Sequence, residues 1–373
     1  MRSSVSHVKP SSVHNMLDRI SIKGFKSFDS IDIELGRLSL LVGPNGAGKS
    51  NFIQVFELLG EIIRGELELS VGRAGGASTL LHSTSRPAER IDIETVFANN
   101  GYNISLVPTD DDALVFESEV PWFIDRTKYK EPYTEHLGAG HRESRLPTSS
   151  KGVAEWVLRR MSPWFVYHFH DTSRSAPVKK KGDINDNDGL RNDASNLAAF
   201  LYRLQETDRS SHDRIVDAVR SVAPFFDDFR LRPDRINAER IQLEWKQRSS
   251  SAYFGPNALS DGTLRFICIS ALLLQPAPPS LILLDEPELG LHPYAINLVA
   301  EMLEACSEQV IVSTQSVTLL NRLDITDVLI AEQIDGATTL TRPAPDGLEA
   351  WLGEYGLGEM WEKNLIGGRP VQR

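Results

Sequence analysis

This sequence has no long apolar run, only two cysteines and no excess of positive charge. Nowhere do apolar residues run unbroken for the roughly 18 positions that a transmembrane helix needs. Residues 1–15 are polar and lack the apolar core of a secretory signal, so we expect a loose tail, with Met16 as an alternative start. These absences favour a cytoplasmic protein without a membrane segment.

The two cysteines, Cys268 and Cys306, lie in apolar patterns of helical period, which favours buried thiols over a disulfide or a metal site. The formal net charge of −11 argues against a surface that grips nucleic acid everywhere, although it leaves room for a local basic groove. The densest basic run, lysines 179–181, is followed by the acidic stretch 183–188. We expect a solvated, mobile loop there.

A glycine-rich loop between a predicted strand and a predicted helix is the strongest signal. It comprises Gly43, Pro44, Asn45, Gly46, Ala47, Gly48, Lys49, Ser50 and Asn51. The spacing is that of a phosphate-binding loop. Its glycines let backbone N–H groups turn inward toward phosphate oxygens, and the helix that follows adds the positive end of its dipole. Lys49 is then placed to reach the outer phosphates and Ser50 to ligate Mg²⁺.

A second cluster of chemistry follows the apolar run 281–284, which predicts a buried strand. Asp285 and Glu286 come at its carboxyl end, where α/β sheets bind their ligands. Asp285 suits the metal side of a phosphate site, and Glu286 could polarise a water that faces the γ-phosphate. Another apolar run, 309–312, predicts a further buried strand that ends in the polar residues 313–316.

A third segment, Ser260-Asp261-Gly262, precedes an apolar helix. It reads as an ordinary N-cap, and a capped helix N-terminus is also a place where an anion can bind.

The remaining pattern predicts strands and helices in alternation. The first part of the chain is expected to form two or three strands over 17–42, a helix to Arg64 that Gly65 ends, a loop at 72–76, and a hairpin of 91–97 and 102–106 that turns at 99–101. A flexible excursion at 126–152 follows, then a helix at 152–160 and a strand at 164–167 that runs into the turn 168–171. The last predicted elements of this part are helices at 196–207 and 211–222 and paired strands within 229–245. No heptad pattern is sustained, so we expect no coiled-coil arms.

Together these segments resemble the ABC ATPase superfamily, in its compact SMC/RecF-like branch of AAA ATPases. The resemblance rests on residues 43–51 as Walker A, 259–262 as the signature, 283–288 as Walker B, 290–293 as the D-loop, 313–316 as the switch strand and 22–28 as the opening strands. It covers about 16–70 and 255–335.

The resemblance implies an α/β fold: a P-loop ABC-type ATPase head with a mixed sheet, an antiparallel β subdomain and a helical insert. The expected division is a tail at 1–15, a split ATPase core at 16–70 and 255–335, the β subdomain at 71–125, the insert at 126–254 and a closing segment at 336–373.

The resemblance also implies ATP and Mg²⁺ as cofactors. In a head-to-tail homodimer, Walker A of one chain and the signature residues Ser260, Asp261 and Gly262 of the other would enclose each nucleotide. Ser50 and Asp285 would be the metal ligands. The catalytic residues would be Lys49, Glu286 as base and Gln315 at the switch.

Two departures from the family pattern stand out. The switch residue is Gln315 where the family usually has histidine, and an amide cannot shuttle a proton, so we expect slow turnover. Moreover, no glutamine occurs between Gln54 and Gln205, so the usual Q-loop glutamine is missing. The turn containing His168 and His170 either takes its place near the nucleotide or is structural; it is a poor zinc site, because further Cys or His ligands are lacking.

The biological output remains open between two classes of protein. The first is the sensor or scaffold ATPase of a bacterial antiphage-type system with a separately encoded effector, because the segment after Gln333 is short for a nuclease domain. The second is a RecF-like DNA-repair or chromosome-maintenance ATPase that clamps DNA. A transporter ATPase is a third, weaker reading. The apolar stretch 348–361 is expected to pack in the core or to dock a partner.

Overall fold

The computed structural model describes residues 16–83, 88–149, 151–343 and 355–367. The strands are β1 (Arg19–Phe25), β2 (Phe28–Glu34), β3 (Leu38–Val42), β4 (Ile91–Phe97), β5 (Asn100–Pro108), β6 (Leu114–Phe123), β7 (Tyr133–Thr134), β8 (Phe165–Tyr167), β9 (Gly182–Asp183), β10 (Phe226–Arg230), β11 (Arg240–Ile241), β12 (Glu244–Gln247), β13 (Tyr253–Phe254), β14 (Leu281–Asp285), β15 (Gln309–Thr314), β16 (Val328–Ile334) and β17 (Ala337–Thr341).

The helices are α1 (Lys49–Arg64), α2 (Leu67–Ala74), α3 (Gly152–Met161), α4 (Leu197–Thr207), α5 (Arg209–Val222), α6 (Asp261–Leu273), α7 (Pro293–Ala305), α8 (Val317–Leu320) and α9 (Leu357–Glu362). Among the described helices, none combines the length and the apolar character needed to cross a bilayer.

The central sheet has the strand order β17-β16-β3-β15-β14-β8. All its neighbouring strands are parallel except the pair β16 and β17. Every residue of β3 is buried, because this sheet is covered on both faces. Side chains alternate between the faces: Leu40 packs with α4 to α7, whereas Leu41 packs with α1 and the second large sheet.

The second large sheet has the order β2-β1-β4-β5-β6-β7, with antiparallel neighbours throughout. It takes β1 and β2 from before the phosphate loop and β7 from beyond residue 126. The described residues therefore form one mixed and one antiparallel six-stranded sheet, beside two small antiparallel sheets, β10-β12-β13 and β9-β11, and this is consistent with the predicted α/β class. The domain boundaries drawn from the sequence stay a prediction.

Several sequence predictions of single elements are confirmed. Helix α1 ends at Arg64, and Gly65 follows in the left-handed region with φ 71°, its N–H bonded to the Ile62 carbonyl. The predicted hairpin is formed by β4 and β5, but its turn at 99–101 is wrong: Asn100 and Gly101 already pair with Phe97 and Val96, so the loop is Ala98 and Asn99. Cys268 and Cys306 are buried free thiols.

The loop predicted at 72–76 is wrong, because α2 continues to Ala74. Leu67 and Val71 lie one turn apart and are both buried, which stabilises the helix despite Gly72. In addition, the Glu143 carboxylate accepts the N–H groups of Leu67 and Glu68 at 2.8 and 2.9 Å, thereby capping the N-terminus of α2.

The predicted flexible excursion at 126–152 is also corrected over its described residues. Glu119 on β6 is fully buried and accepts hydrogen bonds from the Tyr102 hydroxyl at 2.7 Å, the Ser144 hydroxyl and the Arg145 N–H at 3.0 Å. Its second oxygen lies 2.8 Å from Nε2 of His141. This carboxylate fixes the polar segment 141–145 against the antiparallel sheet.

The solvated loop predicted around lysines 179–181 is wrong for Lys179, whereas Lys180 and Lys181 are exposed. Lys179 is buried, with 7% of its surface exposed. Lys181 pairs with Asp234 through an Nζ to Oδ2 distance of 2.5 Å. The reason lies in the tertiary structure: β9 pairs with β11, so the acidic stretch that follows the lysines folds back on the insert.

Candidate functional site

The phosphate loop, the Walker B carboxylates and the switch residues lie at one edge of the central sheet. Val42, the last residue of β3, pairs with Thr314 at the end of β15, and Asp285, the last residue of β14, pairs with Ser313. The strands are parallel, so the phosphate loop, the Walker B carboxylates and the switch residues all follow the same carboxyl edge. The structure thus brings together three segments that are far apart in sequence.

The phosphate loop depends on glycine at defined positions. Gly46 and Gly48 have φ of 81° and 99°, in the left-handed region that other residues adopt only with strain. A Cβ on Gly43 would lie 2.4 Å from the carbonyl oxygen of Ala331, and one on Gly48 would lie 2.1 Å from Oγ1 of Thr338. The loop is therefore pressed against β16 and β17 on one side and is open at Gly46 on the other.

The Lys49 side chain is folded into this loop. Its Nζ donates to the carbonyl oxygens of Gly43 at 2.7 Å and Pro44 at 3.1 Å. Burial lowers the pKa of Lys49, and the negative charges of Glu286 and Asp285 act in the opposite direction. The amine therefore supplies a desolvated cation at the centre of the loop, as an outer phosphate requires.

The Walker B carboxylates are held by the switch strand. The Ser313 hydroxyl donates to Oδ1 of Asp285, and the Gln315 side-chain amide donates through Nε2 to Oε1 of Glu286. Glu286 has φ 42°, a left-handed conformation that is uncommon for this residue type and is found preferentially at functional sites. Its N–H donates to the Ser313 carbonyl at 2.9 Å, so the strained residue is anchored to β15.

Glu288 is a further acidic residue at this edge, to which sequence analysis gave no role of its own. Its Oε1 accepts from the Thr314 hydroxyl at 2.7 Å and from the Gln315 N–H at 2.9 Å. Its Oε2 is buried and has no hydrogen-bond partner among the described residues. Burial raises the pKa of Glu288. Glu288 therefore fixes the backbone of the switch residue, whereas Glu286 contacts its side chain.

The signature residues lie at the N-terminus of α6. Ser260 is the N-cap, and its hydroxyl oxygen accepts the Thr263 N–H at 3.1 Å. A Cβ on Gly262 would lie 2.3 Å from the Gly290 carbonyl oxygen, so α6 begins against the D-loop. Ser260 and Asp261 are exposed, and within the described part of the chain no hydrogen bond joins them to the phosphate loop.

The turn after β8 lies beside Walker B, because β8 pairs in parallel with β14. Nε2 of His170 lies 2.7 Å from the backbone carbonyl of Asp285 and must donate, since a carbonyl only accepts. Nε2 of His168 lies 2.7 Å from Oε1 of Glu57 on α1, and this hydrogen bond raises the pKa of His168. The sequence indicated this turn only as one of two alternatives, because its position depends on a strand pairing distant in the chain.

Arg265 connects α6 to the same turn. Its Nε donates to the Phe169 carbonyl at 2.9 Å and its Nη2 to the His170 carbonyl at 3.1 Å. Sequence analysis missed Arg265, because an arginine within an apolar helix gives no sign of which carbonyl groups it meets.

The donor set fits a nucleoside triphosphate with Mg²⁺. Lys49 and the inward-facing loop suit phosphate, the Ser50 hydroxyl is exposed at the start of α1, and Asp285 is oriented by Ser313. No group of three or more His, Cys, Asp or Glu side chains that could hold a metal occurs in the described ranges.

The sequence is similar to a known family of proteins and to parts of several longer proteins. Residues 38–321 match the model of a family described as "AAA domain, putative AbiEii toxin, Type IV TA system". The chain is 44% identical to the OLD nuclease of Thermus scotoductus over 13% of its own length and 9% of that protein. It is 48% identical to the chromosome partition protein Smc of Desulfitobacterium hafniense, over 39% of this chain and 13% of Smc.

Among solved structures, one similar protein is an SMC head bound to the C-winged helix domain of ScpA, with a TM-score of 0.61 and 16% identity over 90% of this chain and 99% of that one. Another is the Smc head domain with an extended coiled coil bound to the C-terminal domain of ScpA, from Pyrococcus furiosus, with a TM-score of 0.53 and 15% identity over 91% and 98% of the chains. These similarities show the fold. The match over residues 38–321 shows that the chain belongs to the AAA-domain family of ATPases described above, and the similar structures show that it has the SMC-like, ABC-type head fold.

Proposed function

We propose that this ATPase is a switch that dimerises head to tail when it binds ATP. The observation that carries the proposal is the division of the site. Lys49, Glu286 and Gln315 lie together at one sheet edge, whereas Ser260 and Asp261 stand exposed at the start of α6. A second copy would bring its own α6 N-terminus to the nucleotide and complete the site.

Apolar surface near the D-loop supports a second copy as the partner. Leu289 and Tyr294, on either side of residues 290–293, leave 48% and 51% of their surface exposed. Large apolar side chains at this exposure beside a catalytic carboxylate suit a surface that becomes covered. The expected partner surface is the same face of another chain, because a two-fold dimer places like surfaces together.

Hydrolysis would use groups already in place. Mg²⁺, held by Ser50 and Asp285, would offset the charge of the phosphates. Glu286 would accept hydrogen bonding from the attacking water, provided that the Gln315 amide turns from Glu286 toward the water or the γ-phosphate. Gln315 has no titratable proton, so this step would be slow, and slow hydrolysis would keep the dimer closed long enough to signal.

The output that we propose is defence against phage, with this chain as sensor or scaffold and a separately encoded protein as effector. The family description names a putative AbiEii toxin and a Type IV TA system. The chain spans about a tenth of the length of the curated relatives that it matches. Partner binding has a parallel in the SMC head that was solved with a ScpA domain bound.

A RecF-like ATPase that clamps DNA remains the second candidate, and the Smc relative favours it. The two can be distinguished by a salt-dependent affinity for duplex DNA that arises only with ATP. The formal charge of −11 favours the first candidate, because phosphate binding needs clustered Lys and Arg.

Subunit complementation tests the composite site. Lys49→Ala should inactivate the nucleotide site of its own chain, and Ser260→Arg should inactivate the signature offered to the partner. Each variant alone should be inactive. An equimolar mixture should recover about a quarter of the wild-type ATPase rate, because half of the randomly formed dimers contain one intact site. A mixture as inactive as its components would contradict the proposal.

Plating of phage tests the output. Cells that carry the gene together with its genomic neighbours should resist infection, and Lys49→Ala should abolish resistance. Resistance that survives this substitution would argue against an ATP-dependent defence role.

A further inference from the structure

The buried amine of Lys179 contacts the signature motif. Its Nζ donates to the Thr172 carbonyl and lies 3.4 Å from Oδ1 of Asp261, with 6% of the Lys179 side chain exposed and 68% of the Asp261 side chain exposed. Lys179 belongs to the insert, 82 residues from Asp261 in sequence. The Lys179 cation of the insert therefore lies next to the first turn of α6, the helix of the signature residues.

Asp261 creates an electrostatic difficulty for the proposed composite site. It is the first residue of α6, so its carboxylate belongs to the helix turn whose N–H groups would donate to the γ-phosphate of the partner's nucleotide. A carboxylate and a phosphate repel each other there, and the repulsion grows as dimerisation removes water. An anion site with an acidic residue in its first turn therefore needs a compensating cation.

We infer that Lys179 is that cation: it neutralises Asp261, and so lets the α6 N-terminus receive the phosphate of the partner's ATP. This inference rests on the proposed head-to-tail dimer. Lys179 acts as a positioning residue, since it works through Asp261 and not on the substrate. In consequence, the insert takes part in ATP-dependent dimerisation although it contributes no phosphate ligand.

Two other charged residues near Lys179 and Asp261, Arg265 and Asp171, have hydrogen-bond partners of their own. The Arg265 guanidinium donates to the carbonyls of Phe169 and His170, and the Asp171 carboxylate accepts the Ser173 N–H at 3.0 Å. Lys180 is exposed, with no described contact to Asp261. Within the described residues, Lys179 is therefore the cation whose side chain pairs directly with Asp261.

Charge rescue tests the inference. All variants carry Glu286→Gln, so that bound ATP persists, and the ATP concentration at which the solution mass doubles is measured. Lys179→Met should raise this concentration about tenfold or more, because the carboxylate is left uncompensated. Adding Asp261→Asn to Lys179→Met should restore most of the loss. Asp261→Asn with Lys179 intact should lower the concentration, because the lysine can then offset phosphate charge.

Lys180→Met is the matched control, since it removes the same charge one residue away from an exposed position, and it should dimerise like its parent. Thermal unfolding and binding of Mg-ATP to the monomer show whether Lys179→Met is folded. If Lys179→Met matches the Lys180→Met control, or if Asp261→Asn fails to rescue it, the inference is overturned and Lys179 is only structural. If the parent itself stays monomeric with ATP, the proposed dimer fails, and this inference with it.

Discussion

The side chains of Glu286 and Gln315 are in contact, and we propose that hydrolysis depends on this contact. The Gln315 side-chain amide donates to the Glu286 carboxylate, and the Gln315 backbone N–H donates to Oε1 of Glu288 at 2.9 Å. Because both contacts involve Gln315, a change in the position of Gln315 would directly alter the environment of the Glu286 carboxylate.

Replacing the switch amide by imidazole tests its part in the rate. Gln315→His should hydrolyse ATP at least as fast as the wild type, because imidazole can both orient a water and accept a proton. Gln315→Ala should be slower, since it removes the group altogether. Steady-state phosphate release at saturating Mg-ATP measures both rates, and a clear loss in Gln315→His would contradict this account of slow turnover.

The buried carboxyl of Glu288 should make stability depend on pH. Burial raises its folded-state pKa, so the contribution of Glu288 to stability is fully present below its unfolded pKa and is lost as pH rises through the folded pKa. The free energy of unfolding should therefore fall from acidic to neutral pH more steeply in the wild type than in Glu288→Gln, which remains neutral. Denaturant unfolding at several pH values gives both slopes.

Glu301→Gln is the control for this comparison, because Glu301 is exposed on α7. Its slope should match that of the wild type. Equal slopes for wild type and Glu288→Gln would contradict a raised pKa of Glu288 in the folded protein.

Among the elements, the segment 141–145 owes its order to one carboxylate on a neighbouring strand. Glu119→Ala should destabilise the protein by about 2–4 kcal/mol, because it leaves buried donors of Tyr102 and Ser144 without an acceptor. The segment should also become accessible to protease. Denaturant unfolding and limited proteolysis measure these effects.

Glu117→Ala provides the comparison, since Glu117 lies on the same strand but is exposed and, among the described residues, forms an ion pair with the exposed Arg90. It should change stability by no more than about 0.5 kcal/mol. Glu119→Ala with stability and protease resistance like those of Glu117→Ala would mean that other contacts order the segment.

The same elements show what could be predicted from sequence. The apolar run 281–284 and the glycine spacing at 43–50 were sufficient to predict β14, α1 and the phosphate loop, because their signals are local. The segment 141–145 was mistaken for a flexible loop because its order comes from Glu119, whose contacts cross from another strand. Polar composition does not reveal such a partner.

The site shows the same limit. Sequence motifs indicated Lys49, Asp285 and Glu286, and the structure places their segments at one sheet edge. The contacts of His170 with Asp285, 115 residues away, and of Lys179 with Asp261 required the fold. Tertiary pairing of β8 with β14 brings the first pair together, and burial of the insert against α6 brings the second.

On the scale of the whole molecule, we propose that one chain holds the complete apparatus to bind a nucleotide but only half of each site that hydrolyses it. Nucleotide binding would then control assembly, and assembly would control output. Such control by assembly would distinguish this protein from a monomeric ATPase, in which the exposed start of α6 would have no catalytic role.

The solution mass of Glu286→Gln, with and without Mg-ATP, is the measurement that tests this claim most directly. The variant should bind ATP and not hydrolyse it, because the carboxylate that would polarise water is gone. We predict a monomer without nucleotide and a dimer with Mg-ATP. A mass that is already oligomeric and unmoved by ATP, or one that stays monomeric in both conditions, would contradict ATP-driven head-to-tail dimerisation.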